Sequence, residues 1–192
     1  TVLCGGVGAA RFLRALSTVI PPSQITAIVN TGDDTVLHGL HISPDLDTIT
    51  YTLANAIDPD RGWGLIDESW RALDALQRYG PVRPAGSRAA STWFGLGDQD
   101  LATHFYRTAR LQEGASLTDV TSEIASAWGL DFRLLPMAND PAPTKVVVDT
   151  NDDPGVAGDG QISFQEYFVR HRHSIPVREL RLGASSAQPT RE

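Results

Sequence analysis

ITAIVNTGDDTVLHGLHISPDLD, residues 25–47, begins with an apolar run of strand length and continues into an acidic segment. This segment contains four aspartates within fifteen residues, Asp33, Asp34, Asp45 and Asp47. Gly32, Gly39 and Pro44 lie in or beside it and favour a loop over a helix. The stretch therefore predicts a buried strand whose carboxyl end opens into a long acidic loop.

A loop at this place has two interpretations. Ligands of α/β proteins bind at the carboxyl ends of the sheet strands. Surplus carboxylates at that edge either solvate a surface loop or hold a hard cation such as Mg²⁺. The spacing of the aspartates alone leaves both interpretations open.

The composition is that of an ordinary globular protein. The 192 residues are 41% hydrophobic and 20% charged, enough for one substantial core. A net charge of -7 argues against a general nucleic-acid binder but is compatible with a nucleotide site. A single cysteine, Cys4, excludes an internal disulfide, and no membrane-spanning run or signal peptide is visible. We therefore expect a cytoplasmic protein with neither nucleic-acid nor membrane partners.

The N-terminus shows a strand, a glycine turn and a helix. A strand ending at Cys4 is followed by Gly5-Gly6-Val7-Gly8, and then by an apolar-periodic run, Phe12, Leu13, Leu16 and Val19. The turn lacks the third glycine of a dinucleotide fingerprint and the lysine of a P-loop. It is either a structural turn or a phosphate cradle at a helix N-terminus. Arg11 is accordingly either a solvated side chain or a phosphate ligand.

The middle of the chain is predicted to be helical. A short helix is expected over residues 48–56 with Thr48 as its cap, and a second after Asp67 with a buried face, Trp70, Leu73, Leu76 and Tyr79. Trp63 and Trp70 are interpreted as core residues. Residues 80–91 are rich in Gly, Pro and Ser and indicate a flexible surface insertion.

Residues 93–100, WFGLGDQD, form a second glycine-acid segment. Asp98 and Asp100 can cap a helix that ends at Gly114, with an apolar stripe of Leu101, Phe105 and Leu111. His104 lies inside it, and a packed or capping role is the default interpretation. Ser116 and Asp119 resemble the capping box of a further helix that ends at Gly129.

Strands are predicted after residue 131, at 132–135, 145–149, 162–169 and 177–182. Residues 158–166 resemble the second half of a calcium-binding EF-hand loop, but the first ligand positions carry no carboxylate. A hairpin turn is the better interpretation. His171 and His173 lack a third metal-ligand cluster and are interpreted as exposed polar residues. The residues alone thus indicate an α/β protein, compatible with a metal-dependent nucleotide or phosphate enzyme.

Several segments in one order resemble the 2-phospho-L-lactate transferase family of deazaflavin-coenzyme biosynthesis. They are residues 5–13 (GGVGAARFL), 30–34 (NTGDD), 38–39 (HG), 42–48 (ISPDLDT), 95–104 (GLGDQDLATH), 134–137 (LLPM) and 164–167 (FQEY). Tryptophans near residues 61–64 and 93–94 are typical of its actinobacterial branch. The resemblance implies a Rossmann-like three-layer α/β/α fold with a mostly parallel sheet. Residues 1–182 would form part of one transferase domain, with a helical insertion at about 50–130, a small β-rich segment, and a disordered tail at 183–192.

The resemblance also implies a reaction. A phospholactyl or phosphoenolpyruvyl group would pass from a guanosine diphosphate ester to the terminal ribityl hydroxyl of the deazaflavin Fo. GMP would leave, and the product would be coenzyme F-420, or its dehydro form, before glutamates are added. Attack on a diphosphate requires charge neutralisation and in-line positioning more than covalent catalysis.

Site residues are carried over by the same resemblance. Asp33 and Asp47 are expected to be catalytic and to bind Mg²⁺, and Asp47 also to hold the attacking hydroxyl. Asp45 is a weaker candidate for either role. The expected substrate-binding residues are Gly5, Gly6, Gly8, Arg11, Asn30, Thr31, Asp45, Gly95, Leu96 and Asp98.

The chain departs from the family at its C-terminus. Family members continue beyond residue 192 with strands that help to bind guanosine, so we expect this chain alone to be inactive and to self-associate. The full-length form is expected to be a homodimer. The alternatives are a non-catalytic, nucleotide-binding regulatory protein of the related superfamily and an inactive truncated remnant.

Overall fold

The computed structural model describes residues 1–149, 159–183 and 187–190. These residues form eight strands and five α-helices. In chain order the elements are β1 (Val2–Cys4), α1 (Gly6–Leu16), β2 (Thr26–Val29), β3 (Thr35–Leu37), β4 (Leu40–Ile42), α2 (Pro44–Leu53), α3 (Arg71–Gln77), α4 (Asp98–Gln112), α5 (Leu117–Ala127), β5 (Arg133–Pro136), β6 (Thr144–Val148), β7 (Gln161–Ser163) and β8 (Val177–Leu182). None of the described helices is long and apolar enough to cross a membrane.

A parallel sheet forms the centre of the fold. Its strand order is β1-β2-β5, with Cys4 opposite Val29 and Val29 opposite Pro136. Apolar side chains of β1, β2 and β5 pack with those of α1, α2 and α5 in one buried core. The predicted mixed α/β architecture with a parallel sheet is confirmed. All three strands end at the same edge, where the acidic segment begins.

The predicted acidic loop is wrong in two respects. First, β3 and β4 form an antiparallel hairpin inside it. His38 and Gly39 both have positive φ angles, 54° and 79°, which a two-residue hairpin turn requires. Second, α2 begins at Pro44 and not at the predicted cap Thr48, because proline is favoured at a first helical position. Asp45 and Asp47 therefore lie in the first turn of α2, where the helix dipole favours negative charge.

The tryptophan-rich segment before α3 is less buried than predicted. Trp63 is 44% exposed, and its ring stacks at 5.9 Å from that of Trp70, with Arg61 lying over both rings. None of the residues of α3 is buried, and Tyr79 is 61% exposed. The predicted helix is therefore present, but its predicted buried face is wrong.

The buried face of α4 is polar, so the predicted apolar stripe is wrong. Phe105 is 57% exposed. The buried residues of this helix are Asp100, Thr103, His104, Arg107 and Thr108. The helix does end before Gly114, which has a φ angle of 92°, and the capping box of Ser116 and Asp119 is confirmed.

A second sheet, antiparallel and in the order β7-β6-β8, follows the parallel one. The predicted strand over 162–169 ends at Ser163, because the chain then turns into a π-helical turn, Glu166–Arg170. His171 is buried rather than exposed. Of the EF-hand-like segment 158–166, residue 158 lies outside the described residues, and residues 161–163 form β7, which pairs with β6. Residues 184–186 and 191–192 of the predicted tail also lie outside the described residues. Thr190 donates from its backbone N–H to the carbonyl of Met137.

Candidate active site

The acidic turn, residues 30–34, leaves the carboxyl end of β2 at the centre of the sheet edge. The Asn30 N–H donates to the carbonyl of Cys4, and the Asn30 side-chain oxygen accepts the N–H of Gly32 at 3.0 Å. The carbonyl of Gly32 in turn accepts the N–H of Thr144 at 2.6 Å. A Cβ on Gly32 would lie 3.0 Å from the Asn30 oxygen and 3.1 Å from Thr144 Oγ1. Glycine is therefore needed for the turn to pack between these two side chains.

Three buried oxygens of the acidic turn have no hydrogen-bond partner among the described residues. They are Thr31 Oγ1, Asp33 Oδ1 and Asp34 Oδ1. The second oxygen of each carboxylate is fixed: Gln165 Nε2 donates to Asp33 Oδ2, and Ser43 Oγ to Asp34 Oδ2, both at 2.8 Å. Because an unpaired buried oxygen is costly, this clustering indicates a ligand with positive charge or hydrogen-bond donors.

Both carboxylates of the acidic turn hold their protons unusually tightly. Burial, together with the negative charges of Asp45 and Asp47, raises the pKa of Asp33 to about 7 against the opposing hydrogen bond from Gln165. Burial likewise raises the pKa of Asp34 well above its usual range. Such shifts favour either protons or a cation at these side chains.

Asp45 occupies the N-terminus of α1. Its Oδ1 accepts the N–H of Gly6 at 2.7 Å, and its Oδ2 accepts from Asn30 Nδ2 at 2.9 Å. A Cβ on Gly6 would lie 2.9 Å from Asp45 Oδ1, so glycine is required for this close approach. The anion-binding position predicted for a phosphate is thus held by a carboxylate of the protein itself in this conformation.

Asp47 faces α4 and is paired with Arg107. Arg107 Nη1 lies 3.1 Å from Asp47 Oδ2, and Nη2 contacts Oδ1, so the pair is bidentate. Only 2% of Arg107 and 6% of Asp47 are exposed. Arg107 Nη1 also reaches His104 Nδ1 at 3.3 Å and the His41 carbonyl at 3.4 Å. A guanidinium can only donate, so His104 Nδ1 is an acceptor and its proton is on Nε2.

The contacts continue along α4 and return to α2. His104 Nε2 lies 3.3 Å from Asp100 Oδ2, and Asp100 Oδ1 accepts from the hydroxyl of Tyr51 at 2.7 Å. Burial opposes the ionisation of Asp100, but its contacts with His104 and Tyr51 outweigh that effect and lower its pKa. We call the connected set Tyr51, Asp100, His104, Arg107 and Asp47 the α2–α4 network.

A cavity of about 1190 Å³ opens beside the acidic turn. Thr31 and Asp34 line it, and so do residues of the β3–β4 hairpin, of the segment before α4 and of the β6–β7 hairpin. Lys145, Arg170 and Trp93 bring positive charge and an aromatic ring to its walls. A cavity of this size can hold a nucleotide or a flavin-sized ring system.

The structure does not bring every predicted site residue to this cavity. Gly95 packs against Trp63, where a Cβ would lie 2.9 Å from the ring. Leu96 is buried, and Asp98 accepts hydrogen bonds from the backbone and hydroxyl of Ser69. Arg11 and Gly8 are exposed at the start of α1. Of the predicted residues, Thr31 is the one that lines the cavity, with Asp33 and Asp47 buried behind it.

Comparison with known proteins identifies the family of this chain. The family described as 2-phospho-L-lactate transferase CofD matches residues 1–192, the whole chain. The chain belongs to the CofD family. The resemblance found in the sequence is therefore confirmed.

Relatives within the CofD family are similar along nearly the entire chain. The phosphoenolpyruvate transferase of Nocardia farcinica is 43% identical over 189 residues, which covers 98% of this chain and 54% of that protein. The phosphoenolpyruvate transferase of Mycobacterium avium is 41% identical over 212 residues, covering 100% and 60%. The chain thus spans between 54% and 60% of the length of these two relatives.

A solved structure shows the same fold at low sequence identity. A UPF0052-family protein from Bacillus halodurans matches with a TM-score of 0.55 and 16% identity, covering 99% of this chain and 52% of that protein. A second structure of a Bacillus halodurans protein gives 0.54 and 17%. These matches support the α/β fold of this CofD-family chain.

The magnesium expected for a CofD-family transferase fits one predicted ligand better than the other. Asp33 offers a buried oxygen without a partner among the described residues, as a hard cation prefers. Both carboxylate oxygens of Asp47 contact Arg107. Asp47 can therefore bind Mg²⁺ only if its carboxylate contacts the metal and the guanidinium at the same time. Asp47, Asp100 and His104 also have ligand atoms within 4.8 Å of one another, but Arg107 already lies against two of them.

Sequence reasoning missed the α2–α4 network. The signal was present as helical spacing: Asp47 and Tyr51 are four residues apart on α2, and Asp100, His104 and Arg107 follow at intervals of four and three on α4. Side chains at these intervals share one helix face. Apolar periodicity does not register a polar stripe of this kind, so the buried face of α4 escaped prediction.

Proposed function

We propose that this chain carries the catalytic acidic site of a phosphotransferase of coenzyme F-420 biosynthesis. The enzyme moves a phosphoenolpyruvyl or phospholactyl group from a guanosine diphosphate ester to the ribityl hydroxyl of Fo, and releases GMP. The names of the relatives favour phosphoenolpyruvate as the transferred group. The reaction takes place in the cytoplasm, and the active form is a homodimer.

The observation that carries this proposal is the acidic turn itself. A match to the CofD family over all 192 residues coincides with buried carboxylate oxygens that have no partner in the described part of the chain, beside a cavity of about 1190 Å³. A purely structural turn would pair these oxygens, since unpaired ones cost free energy. A ligand that brings positive charge explains why they are retained.

The proposed roles follow from the contacts. Asp33 and Asp47 would hold Mg²⁺, which would supply neutralisation of charge on the transferred phosphoryl group and on the GMP leaving group. Gln165 orients Asp33 through its 2.8 Å hydrogen bond, and Arg107 orients Asp47 through its bidentate pair. Thr31 Oγ1, on the cavity wall and without a partner among the described residues, is placed to hydrogen-bond a substrate oxygen.

The glycine turn binds the phosphates of the donor. Gly8 presents open space, with no atom within 4 Å of where a Cβ would lie, and Arg11 lies exposed one turn further along α1. Gly5 and Gly6 join the cradle when Asp45 yields the N–H of Gly6 to phosphate. Asn30 then keeps Asp45 in place through its own hydrogen bond. The segment at Gly95, Leu96 and Asp98 supports the wall at Trp93 on which the deazaflavin ring lies.

The test measures binding and transfer separately. Fo binding to the chain is followed by fluorescence anisotropy, and Mg²⁺ binding by the rise in Tm that a ligand of the folded state produces. Transfer is measured as GMP release from the phosphoenolpyruvyl donor, with the chain and with the chain joined to the remaining part of the Nocardia farcinica relative. Asp47→Asn abolishes transfer. It also lowers the Tm, because it leaves the buried Arg107 without its carboxylate, so transfer is compared at a temperature where circular dichroism shows the variant to be folded.

Asp60→Asn is the matched control, because Asp60 is an exposed aspartate in a loop distant from the acidic turn along the chain. It leaves Fo binding and transfer unchanged. Unchanged turnover in Asp47→Asn would contradict the assignment of Asp47. Binding of guanosine nucleotide with neither Fo binding nor transfer would instead support a regulatory protein.

A further inference from the structure

The α2–α4 network contains one guanidinium, that of Arg107, and this guanidinium is paired with Asp47. Arg107 is the largest fully buried side chain among the described residues, and an isolated buried guanidinium would be strongly unfavourable. Its pairing with Asp47 joins residues 60 positions apart in the sequence. A bidentate pair fixes both the direction and the plane of the carboxylate, which a single hydrogen bond would leave free to rotate.

The guanidinium is itself held by other residues. Besides Asp47, its Nη1 contacts the His41 carbonyl at 3.4 Å and His104 Nδ1 at 3.3 Å. His104 is 1% exposed, and its protonated Nε2 faces Asp100, which Tyr51 fixes in turn. Among the described residues His104 Nε2 makes no hydrogen bond, so Asp100 and Tyr51 restrain His104 through proximity and packing, whereas Arg107 holds Asp47 directly through hydrogen bonds.

From this geometry we infer that Arg107 is a positioning residue for the acidic site, supported by His104, Asp100 and Tyr51. Arg107 is not among the described residues that line the cavity. Its effect reaches the reacting groups through Asp47. This inference rests on the proposed function, in which Asp47 and Asp33 hold a divalent cation.

Arg107→Lys tests the geometry without changing the charge. Lysine keeps the positive charge but loses the fork that holds both oxygens of Asp47. Mn²⁺ serves as the probe for the Mg²⁺ site, and its free concentration is read from its electron paramagnetic resonance signal in a titration of the whole 192-residue chain. We expect Mn²⁺ affinity to fall about tenfold, as is usual when a side chain that orients a metal ligand is removed.

Two substitutions of His104 form a matched pair that leaves Asp47 itself unchanged, although His104 Nδ1 lies 3.7 Å from Asp47 Oδ2. The amide of asparagine can replace Nδ1, which accepts from Arg107, whereas the amide of glutamine can replace Nε2, which faces Asp100. If Arg107 is the element that orients Asp47, His104→Gln weakens Mn²⁺ binding more than His104→Asn. A merely structural role would lower the Tm of both variants and leave their Mn²⁺ affinities equal.

Arg110→Gln is the control for loss of an arginine on α4, since Arg110 pairs at the surface with Glu123 and Glu113. It leaves Mn²⁺ affinity unchanged. Unchanged or tighter Mn²⁺ binding in folded Arg107→Lys, together with equal affinities for the His104 pair, would overturn the inference. A wild-type chain that binds no Mn²⁺ would overturn the cation site of the proposed function, and the inference with it.

Discussion

The acidic stretch contains two kinds of buried aspartate, and their surroundings differ in one respect. Asp47 is paired by a bidentate arginine, whereas Asp33 has a neutral partner on one oxygen and, among the described residues, none on the other. The pKa of Asp33 is raised to about 7. We call the pair of Asp47 and Arg107 the anchor of the site, because the guanidinium fixes the orientation of this carboxylate before any ligand binds. Asp33 has no such cation beside it among the described residues, so its orientation and charge depend more on a ligand.

The largest loss of stability is expected when the pair of Asp47 and Arg107 is broken. Arg107→Met removes the cation and leaves Asp47 buried without compensation, which costs about 3–5 kcal/mol of the free energy of unfolding. Urea unfolding at about pH 7.5 measures the loss, a pH at which an ordinary carboxyl group is ionised. The control Arg110→Met removes an arginine from the exposed side of the same helix and changes the midpoint little. Equal losses in the two variants would show that Arg107 does not act as an anchor.

The next effect concerns Asp33 and depends on pH. A pKa raised from 3.8 to about 7 means that the folded state binds this proton more tightly than the unfolded state. The stability contributed by the proton is complete below about pH 4 and is lost as the pH rises through about 7. At about pH 8 the ionised, buried carboxylate opposes folding by at most roughly 4 kcal/mol.

Asp33→Asn cannot ionise, so it is expected to be more stable than the wild type at about pH 8 and about equally stable at about pH 4.5. Urea titrations at the two pH values give the difference. Asp60→Asn, an exposed site, shows no such dependence. A change in stability that is the same at both pH values would mean that Asp33 carries no destabilising charge, and the contrast with Asp47 would fail.

The smallest effect tests Asp45, which is intermediate between Asp33 and Asp47. Both of its oxygens accept hydrogen bonds, but from neutral groups. Gly6→Ala forces its Cβ against Asp45 Oδ1, at 2.9 Å, whereas Gly8→Ala in the same helical turn meets open space. Gly8→Ala stabilises α1 by up to about 1 kcal/mol, because alanine is the better helix former. Gly6→Ala is destabilised by a similar amount through the displaced hydrogen bond. Equal Tm values for the two variants would contradict the close approach of Asp45 to the glycine turn.

Much of the fold could be predicted because its signals are local. The parallel sheet strands β1, β2 and β5 are short apolar runs bounded by turn residues, and the Ser116 cap is a pattern of four residues. The polar faces could not be predicted in the same way. Phe105 suggested an apolar stripe on α4, yet it is exposed, and the buried face of the helix instead carries Arg107, which pairs with Asp47 of α2. Periodicity identifies a face and does not say which face is buried when both carry large side chains.

By itself, the sequence determined the α/β class, the acidic stretch and the family, since each depends on the order of residues along the chain. Only the tertiary structure decided which aspartate meets Arg107, which oxygens remain unpaired and which glycines are in contact with Asp45. Asp47 and Arg107 are 60 residues apart, and Asp33 and Gln165 are 132 apart. The pairing of buried charges depends on distances of about 3 Å between side chains of different elements, and no local pattern encodes such distances.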